Sequence, residues 1–304
     1  MEIYLPIAEM SVHWLILLGM GGAIGFLSGM FGIGGGFLLT PLLIFYGIPA
    51  EVAVATTASH ITASSISGAI AQWRRRVVDL KMAAVMSASG IAGTFAGVHV
   101  LGVLKRAGQT DIVVSFAYVI LLGTIGGLML RESLQAIRAA RGTSPPPVAH
   151  RHNWVHGLPF KMRFRQSRLY ISVLPPIVLG LIVGILSAIM GVGGGFIVVP
   201  AMIYVLRMPT TVVLGTSLVQ IVFITAATTI LQSVSNYSVD VVLAFFLITG
   251  GVIGAQYGVR MASRIPGEQL RALLAVMVLG VGLGLLYNLV ATPKDVYSVS
   301  AGVP

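Results

Sequence analysis

No cysteine occurs among the 304 residues, which excludes disulfides, thiolate metal sites and cysteine nucleophiles. Charge is scarce: 9% of residues are Asp, Glu, Lys or Arg, against about 25% in soluble globular domains. H-E-x-x-H and G-x-S-x-G are absent, no carboxylate pair lies inside an apolar run, and the histidines outside residues 131–170 are isolated. No enzyme, metal site or cofactor is therefore expected. No Lys-Ser/Thr pair follows the glycine runs, so a Walker phosphate loop is excluded. Nor does a basic leader with a small-residue cleavage site open the chain, so residues 12–31 read as a retained first span.

What is abundant is apolar sequence, 56% of the chain. Several runs reach about 20 residues, enough to cross a bilayer as a helix. They are continuous rather than alternating, which argues against a β-barrel. The expectation is an all-α polytopic membrane protein. A net charge of +10 then reflects Lys and Arg in cytoplasmic loops, not nucleic-acid binding. The partners expected are membrane lipids and a small anion.

One stretch occurs twice. Residues 25–41 read GFLSGMFGIGGGFLLTP and residues 184–200 read GILSAIMGVGGGFIVVP; from Gly21 to Pro41 against Gly180 to Pro200, ten of twenty-one positions are identical. The repetition extends further. Pro209 answers Pro49, Thr216–Ser217 answers Thr56–Thr57, and Asp240 answers Asp79, while Gly251, Gly254 and Gly258 answer Gly90, Gly93 and Gly97. Runs fall at about 12–31, 37–46, 50–73, 80–104 and 112–130, then again at about 171–191, 195–206, 210–231, 240–260 and 270–290. Residues 1–130 and 171–304 are thus read as two transmembrane repeats. Residues 131–170, with eight Lys or Arg and three successive prolines, are read as a basic cytoplasmic linker. Its charges fit ordinary loop placement or contact with anionic lipid.

Each repeat holds about five helical segments. Two halves with an odd number of crossings, joined in series, are inverted relative to one another. With the N-terminus outside, the loops at 74–81, 131–170, 207 and 260–271 fall inside and carry sixteen of nineteen Lys and Arg, as the positive-inside tendency requires. Both termini are then outside. Residues 12–46 are 35 positions, short of the roughly 40 that two crossings need. The piece 37–46 is about 15 Å long. The unit is either a re-entrant hairpin or two tightly fitted crossings.

Non-helical backbone within a bilayer needs protein or water to satisfy it. A glycine run can approach a ligand closely, and the short helix after it presents unpaired N–H groups and a partial positive charge. Gly34, Gly35, Gly36 and Phe37 with Gly193, Gly194, Gly195 and Phe196 therefore form a candidate anion site without a charged side chain. The third segment of each half adds Thr56, Thr57 and His60, and Thr216, Ser217 and Gln220. His60 aligns with Gln220 and is read as an anion ligand, a proton carrier or a histidine bonded to a neighbouring helix. Gln256 is a further candidate, and His99 reads as interfacial. Asp79 and Asp240 read as helix caps. Gly21, Gly25, Gly90, Gly93, Gly97, Gly251, Gly254 and Gly258 read as helix-packing positions.

The doubled pattern G-x-G-G-G-F-x-x-x-P followed by P-x-x-x-x-x-x-T-[TS], here Gly32 to Pro41 with Pro49 to Thr57 and Gly191 to Pro200 with Pro209 to Ser217, resembles the TauE/SafE family of sulfite exporters. The resemblance covers residues 12–290. It implies an inner-membrane transporter of sulfite or an organosulfonate such as sulfoacetate, acting as a secondary exporter by alternating access. A passive anion channel, or a permease for another small organic anion, is the alternative reading.

Overall fold

The computed structural model describes residues 2–31, 34–74, 76–140, 161–164, 166–167, 169–262 and 267–290. In chain order these form β1 (Glu2–Leu5), β2 (Met10–His13), α1 (Trp14–Phe31), α2 (Gly36–Phe45), α3 (Ala50–Arg74), α4 (Leu80–Arg106) and α5 (Thr110–Ala140). They continue with β3 (Lys161–Phe164), β4 (Leu169–Ser172), α6 (Leu174–Met190), α7 (Gly195–Tyr204), α8 (Thr210–Ser235), α9 (Val241–Ala262) and α10 (Gly267–Val290). The helices match the expected runs closely. Five of them are long and apolar enough to cross a membrane, namely α4, α5, α8, α9 and α10. Large apolar side chains such as Phe95, Ile112, Phe116, Phe245, Leu283 and Tyr287 stand exposed on α4, α5, α9 and α10, a surface suited to lipid rather than water.

Two elements depart from the expected pattern. Residues 2–13 form an antiparallel hairpin, with Glu2 opposite His13 and Leu5 opposite Met10. Strands β3 and β4 pair antiparallel as another, with Lys161 opposite Ser172 and Phe164 opposite Leu169. Each drives apolar side chains inward. Leu5 and Val12 join Leu39, Leu43 and Ile48 around α2, and Phe164 and Ile171 join Val183, Val198 and Met202 around α7. Helix α5 also continues past residue 130 to Ala140, and α6 starts at Leu174, after the second hairpin.

Helix packing is exchanged between the halves. The first helix of each half packs on the fourth helix of the other: α1 on α9, and α6 on α4. Helices α3 and α8 pair with each other, as do α5 and α10. Glycines set these seams. Gly21, Gly25 and Gly29 face the backbone of Leu247, Gly251 and Ala255, while Gly250, Gly254 and Gly258 face Leu18, Gly22 and Phe26. Gly93, Gly97, Gly180 and Gly184 do the same between α4 and α6. Added methyl groups there would come within 3.0 Å of facing backbone, so the packing role read from the sequence holds.

Helix ends follow local chemistry. Asp79 accepts from Met82 N at 3.2 Å and caps α4. Asp240 accepts from Val242 N and Leu243 N at 3.0 Å and caps α9. Pro49 and Pro209 precede α3 and α8, their carbonyls taking the N–H of Ala53 and Val213. Pro49 thus stands one position before the first helical residue, Ala50. Helix α6 ends at Gly191, whose φ of 68° is left-handed, the C-terminal conformation glycine adopts without strain. Gln232 donates to the Ala188 carbonyl at 3.0 Å and the Tyr118 hydroxyl to that of Met190, satisfying carbonyls that the ended helix leaves over.

Candidate functional site

Both glycine breaks are local unwindings followed by a ten-residue helix. Gly34 has φ 75°, Gly193 73° and Gly194 78°, a region where residues with a side chain are strained. Gly35 N-caps α2 through its carbonyl, which takes Leu38 N and Leu39 N, and the Gly194 carbonyl takes Ile197 N and Val198 N. At about 1.5 Å per residue neither helix spans a bilayer. Pro41 and Pro200 lie inside them and lack the N–H that would bond the Phe37 and Phe196 carbonyls.

The two breaks meet. The rings of Phe37 and Phe196, at the first turns of α2 and α7, stack with centroids 4.5 Å apart and planes 11° from parallel. A methyl on Gly36 would lie 2.8 Å from the Gly191 carbonyl oxygen, so the first helix start lies against the second break. Helices α3 and α8 wall this centre. Ile61, Ser65 and Ile221 face Gly34, and Ile61 and Thr225 face Gly193. The Thr62 hydroxyl joins that of Thr225 at 2.8 Å, holding the two walls together.

Polar atoms here are buried without protein partners. Ser65 Oγ, Thr57 Oγ1 and both side-chain polar atoms of Gln220 make no hydrogen bond, and the three residues are 0–1% exposed. The His60 nitrogens have no bond of normal geometry either, although the Gly21 backbone stands close. An unpaired buried polar group costs about 1–3 kcal/mol, so these atoms are candidate contacts for a guest other than protein.

Of the sequence-named residues, Gly34, Gly35, Gly36 and Phe37 lie at one break and Gly193, Gly194, Gly195 and Phe196 at the other, joined by the Phe37–Phe196 stack and by Ile61, which faces Gly34, Gly36 and Gly193. Thr57 and His60 lie on α3, Ser217 and Gln220 on α8, all buried. His60 projects toward the α1–α9 seam, where a Cβ on Gly251 would collide with its Nε2. The Ser217 hydroxyl is turned onto the Leu214 carbonyl. Thr56 and Thr216 are engaged elsewhere: their hydroxyls accept the backbone N–H of Asp240 at 3.1 Å and of Asp79 at 3.0 Å. Gln256 is exposed, as is His99. Ser65 and Thr225 are the side chains that sequence reasoning missed. A signal for Ser65 existed, since Thr57, Ile61 and Ser65 repeat every four residues on one helix face.

Comparison with known proteins agrees with this arrangement. The family model described as Sulfite exporter TauE/SafE matches residues 17–285. A probable membrane transporter protein of Xylella fastidiosa (strain 9a5c) is 29% identical over 288 residues, covering 92% of this chain and 97% of that one. The probable membrane transporter protein YjnA of Bacillus subtilis (strain 168) is 27% identical over 280 residues, covering 91% and 100%. No solved structure matches the chain.

Proposed function

This chain belongs to the sulfite exporter TauE/SafE family, and on that premise we propose that it carries sulfite or a related organosulfonate across the cell inner membrane as a secondary exporter. The observation that carries the reading is the meeting of two short helix starts, Phe37 on Phe196. Helix starts present N–H donors and a partial positive charge, which suit a small oxyanion. Buried Ser65 beside Gly34 supplies a neutral donor for the same guest.

In this proposal residues 1–130 and 171–304 are inverted repeats rocking about the central site, and 131–170 is their cytoplasmic connection, with both termini outside. Support for the inversion comes from the exchanged contacts. Thr56 near the start of α3 reaches the start of α9, and Thr216 near the start of α8 reaches the start of α4. Alternating access is favoured over a continuous channel because Thr57, Ser65 and Gln220 are closed off from solvent.

Purified protein in liposomes should show saturable flux of labelled sulfite or an organosulfonate. Absence of saturable flux for every sulfur oxyanion tested rejects the assignment, and rates far above transporter turnover would favour the channel. His60→Gln imitates Gln220 of the second half. It is expected to leave substrate affinity within about threefold, the loss of roughly one neutral hydrogen bond, and to flatten the pH dependence of transport. An unchanged pH profile removes His60 from proton coupling.

A further inference from the structure

We propose that the hairpins β1–β2 and β3–β4 are the two gates of this transporter, each latched across the halves by one buried aspartate. The inference rests on the alternating-access reading and adds the moving parts to it. Polar atoms at the centre are buried, so access requires an element to lift away at one end. The glycine seams are poor candidates, because backbone packs directly on backbone there. The hairpins are better ones. A two-stranded ribbon is barely stable alone, and each of these is held by a few apolar side chains and one carboxylate, with Gln166 of the second also donating to the Arg76 carbonyl.

The two latches are built alike. Asp240, fully buried, divides its oxygens. Oδ1 caps α9, while Oδ2 accepts the N–H of Ile7 at 2.9 Å and of Ala8 at 3.4 Å in the turn of the first hairpin. Its own N–H donates to Thr56 of the opposite half. Asp79, 3% exposed, repeats the pattern. Oδ1 caps α4, Oδ2 accepts Ser167 N at 3.0 Å and Ser167 Oγ at 2.7 Å in the turn of the second hairpin, and its N–H donates to Thr216. One hairpin closes over α2, the other over α7. With both latches made, the conformation described is the doubly closed one. Each gate then opens by releasing its own aspartate, leaving the other shut.

Asparagine separates the latch from the cap. Both oxygens of Asp240 face N–H donors, so an amide that keeps the α9 cap must turn its NH₂ toward Ile7 and Ala8, where it can only repel. The native chain contains no cysteine, so a single introduced thiol reports without background. In detergent, where both faces meet a charged thiol reagent, Asp240→Asn should speed modification of Thr57→Cys at least about tenfold. That factor corresponds to about 1.4 kcal/mol taken from the closed state. It should leave the rate for Ser217→Cys unchanged. Asp79→Asn combined with Ser167→Ala, which removes the hydroxyl able to accept from the new amide, should give the mirror result. Thr56→Val and Thr216→Val remove the other half of each latch and should reproduce the two patterns, which keeps the test decisive if an asparagine variant does not fold. Acceleration at both positions, at neither, or at the wrong one overturns the gate assignment. Labelling rates need no substrate, so that outcome is separate from a failure of sulfite transport.

Discussion

Gly34→Ala is expected to lower transport at least about a hundredfold while the protein still folds and reaches the membrane. The position has room for a methyl: it would rest 3.4 Å from Ile61 Cγ2 and Ser65 Oγ and 3.8 Å from Ile221 Cγ2, ordinary contact distances. Its structural cost is the left-handed backbone, φ 75°, roughly 1–2 kcal/mol for a residue with a Cβ. Its functional cost is larger, because the methyl fills the space between the Ser65 hydroxyl and the start of α2. Two hydrogen bonds to a charged guest, at about 1.5–3 kcal/mol each, are then lost together. Gly47→Ala is the matched control. It has φ 95° and an open surrounding, but sits in the turn between α2 and α3. It should carry the same strain and keep transport. Transport by Gly34→Ala at the level of Gly47→Ala removes the break from the substrate path.

Gly25→Ala is expected to cost about 3 kcal/mol, the upper range for overpacking, and to deplete folded protein. A methyl there would sit 2.5 Å from Gly251 Cα and 2.7 Å from its carbonyl carbon. These are backbone atoms inside a helix, so α1 and α9 must part, and every other glycine contact of the seam loosens with them. Gly22→Ala, three residues earlier on the same helix, would meet Gly250 O at 3.7 Å. It should be neutral or gain up to about 1 kcal/mol from helix propensity. Thermal unfolding in detergent distinguishes the two, and equal midpoints would refute the seam.

The helices were legible because lipid imposes long apolar runs, and the short ones because G-x-G-G-G interrupts those runs twice. The seams were legible too, since glycine every four residues on α1 and every three to four on α9 is a recognisable packing stripe. The hairpins were not. Their strands are four residues long, and no Asn-Gly or Asp-Gly turn announces them. In Lys161–Phe164 the basic residues hide the one side chain that matters for burial, Phe164. Asp79 and Asp240 were readable as caps from local position, but not as latches. The partner of Asp240 at Thr56 lies 184 residues away, and each carboxylate meets backbone N–H groups that have no residue signature. For the same reason the T-[TS] pair looked like one site. Its first member binds the backbone N–H of an aspartate in the other half, while its second makes no such contact, a division set by helix rotation between adjacent residues.

The exchange of first and fourth helices between the halves bears on how the molecule is made. Helix α1 leaves the ribosome early, yet the stripe it must cover belongs to α9, which follows after nearly all the rest has been synthesised. Until then Gly21, Gly25 and Gly29 lie bare against lipid, and α4 waits likewise for α6. Neither half made alone holds the helix that covers its first or its fourth. Two fragments divided within residues 141–160 and produced in the same cell can each supply what the other lacks, and should recover function that neither shows singly.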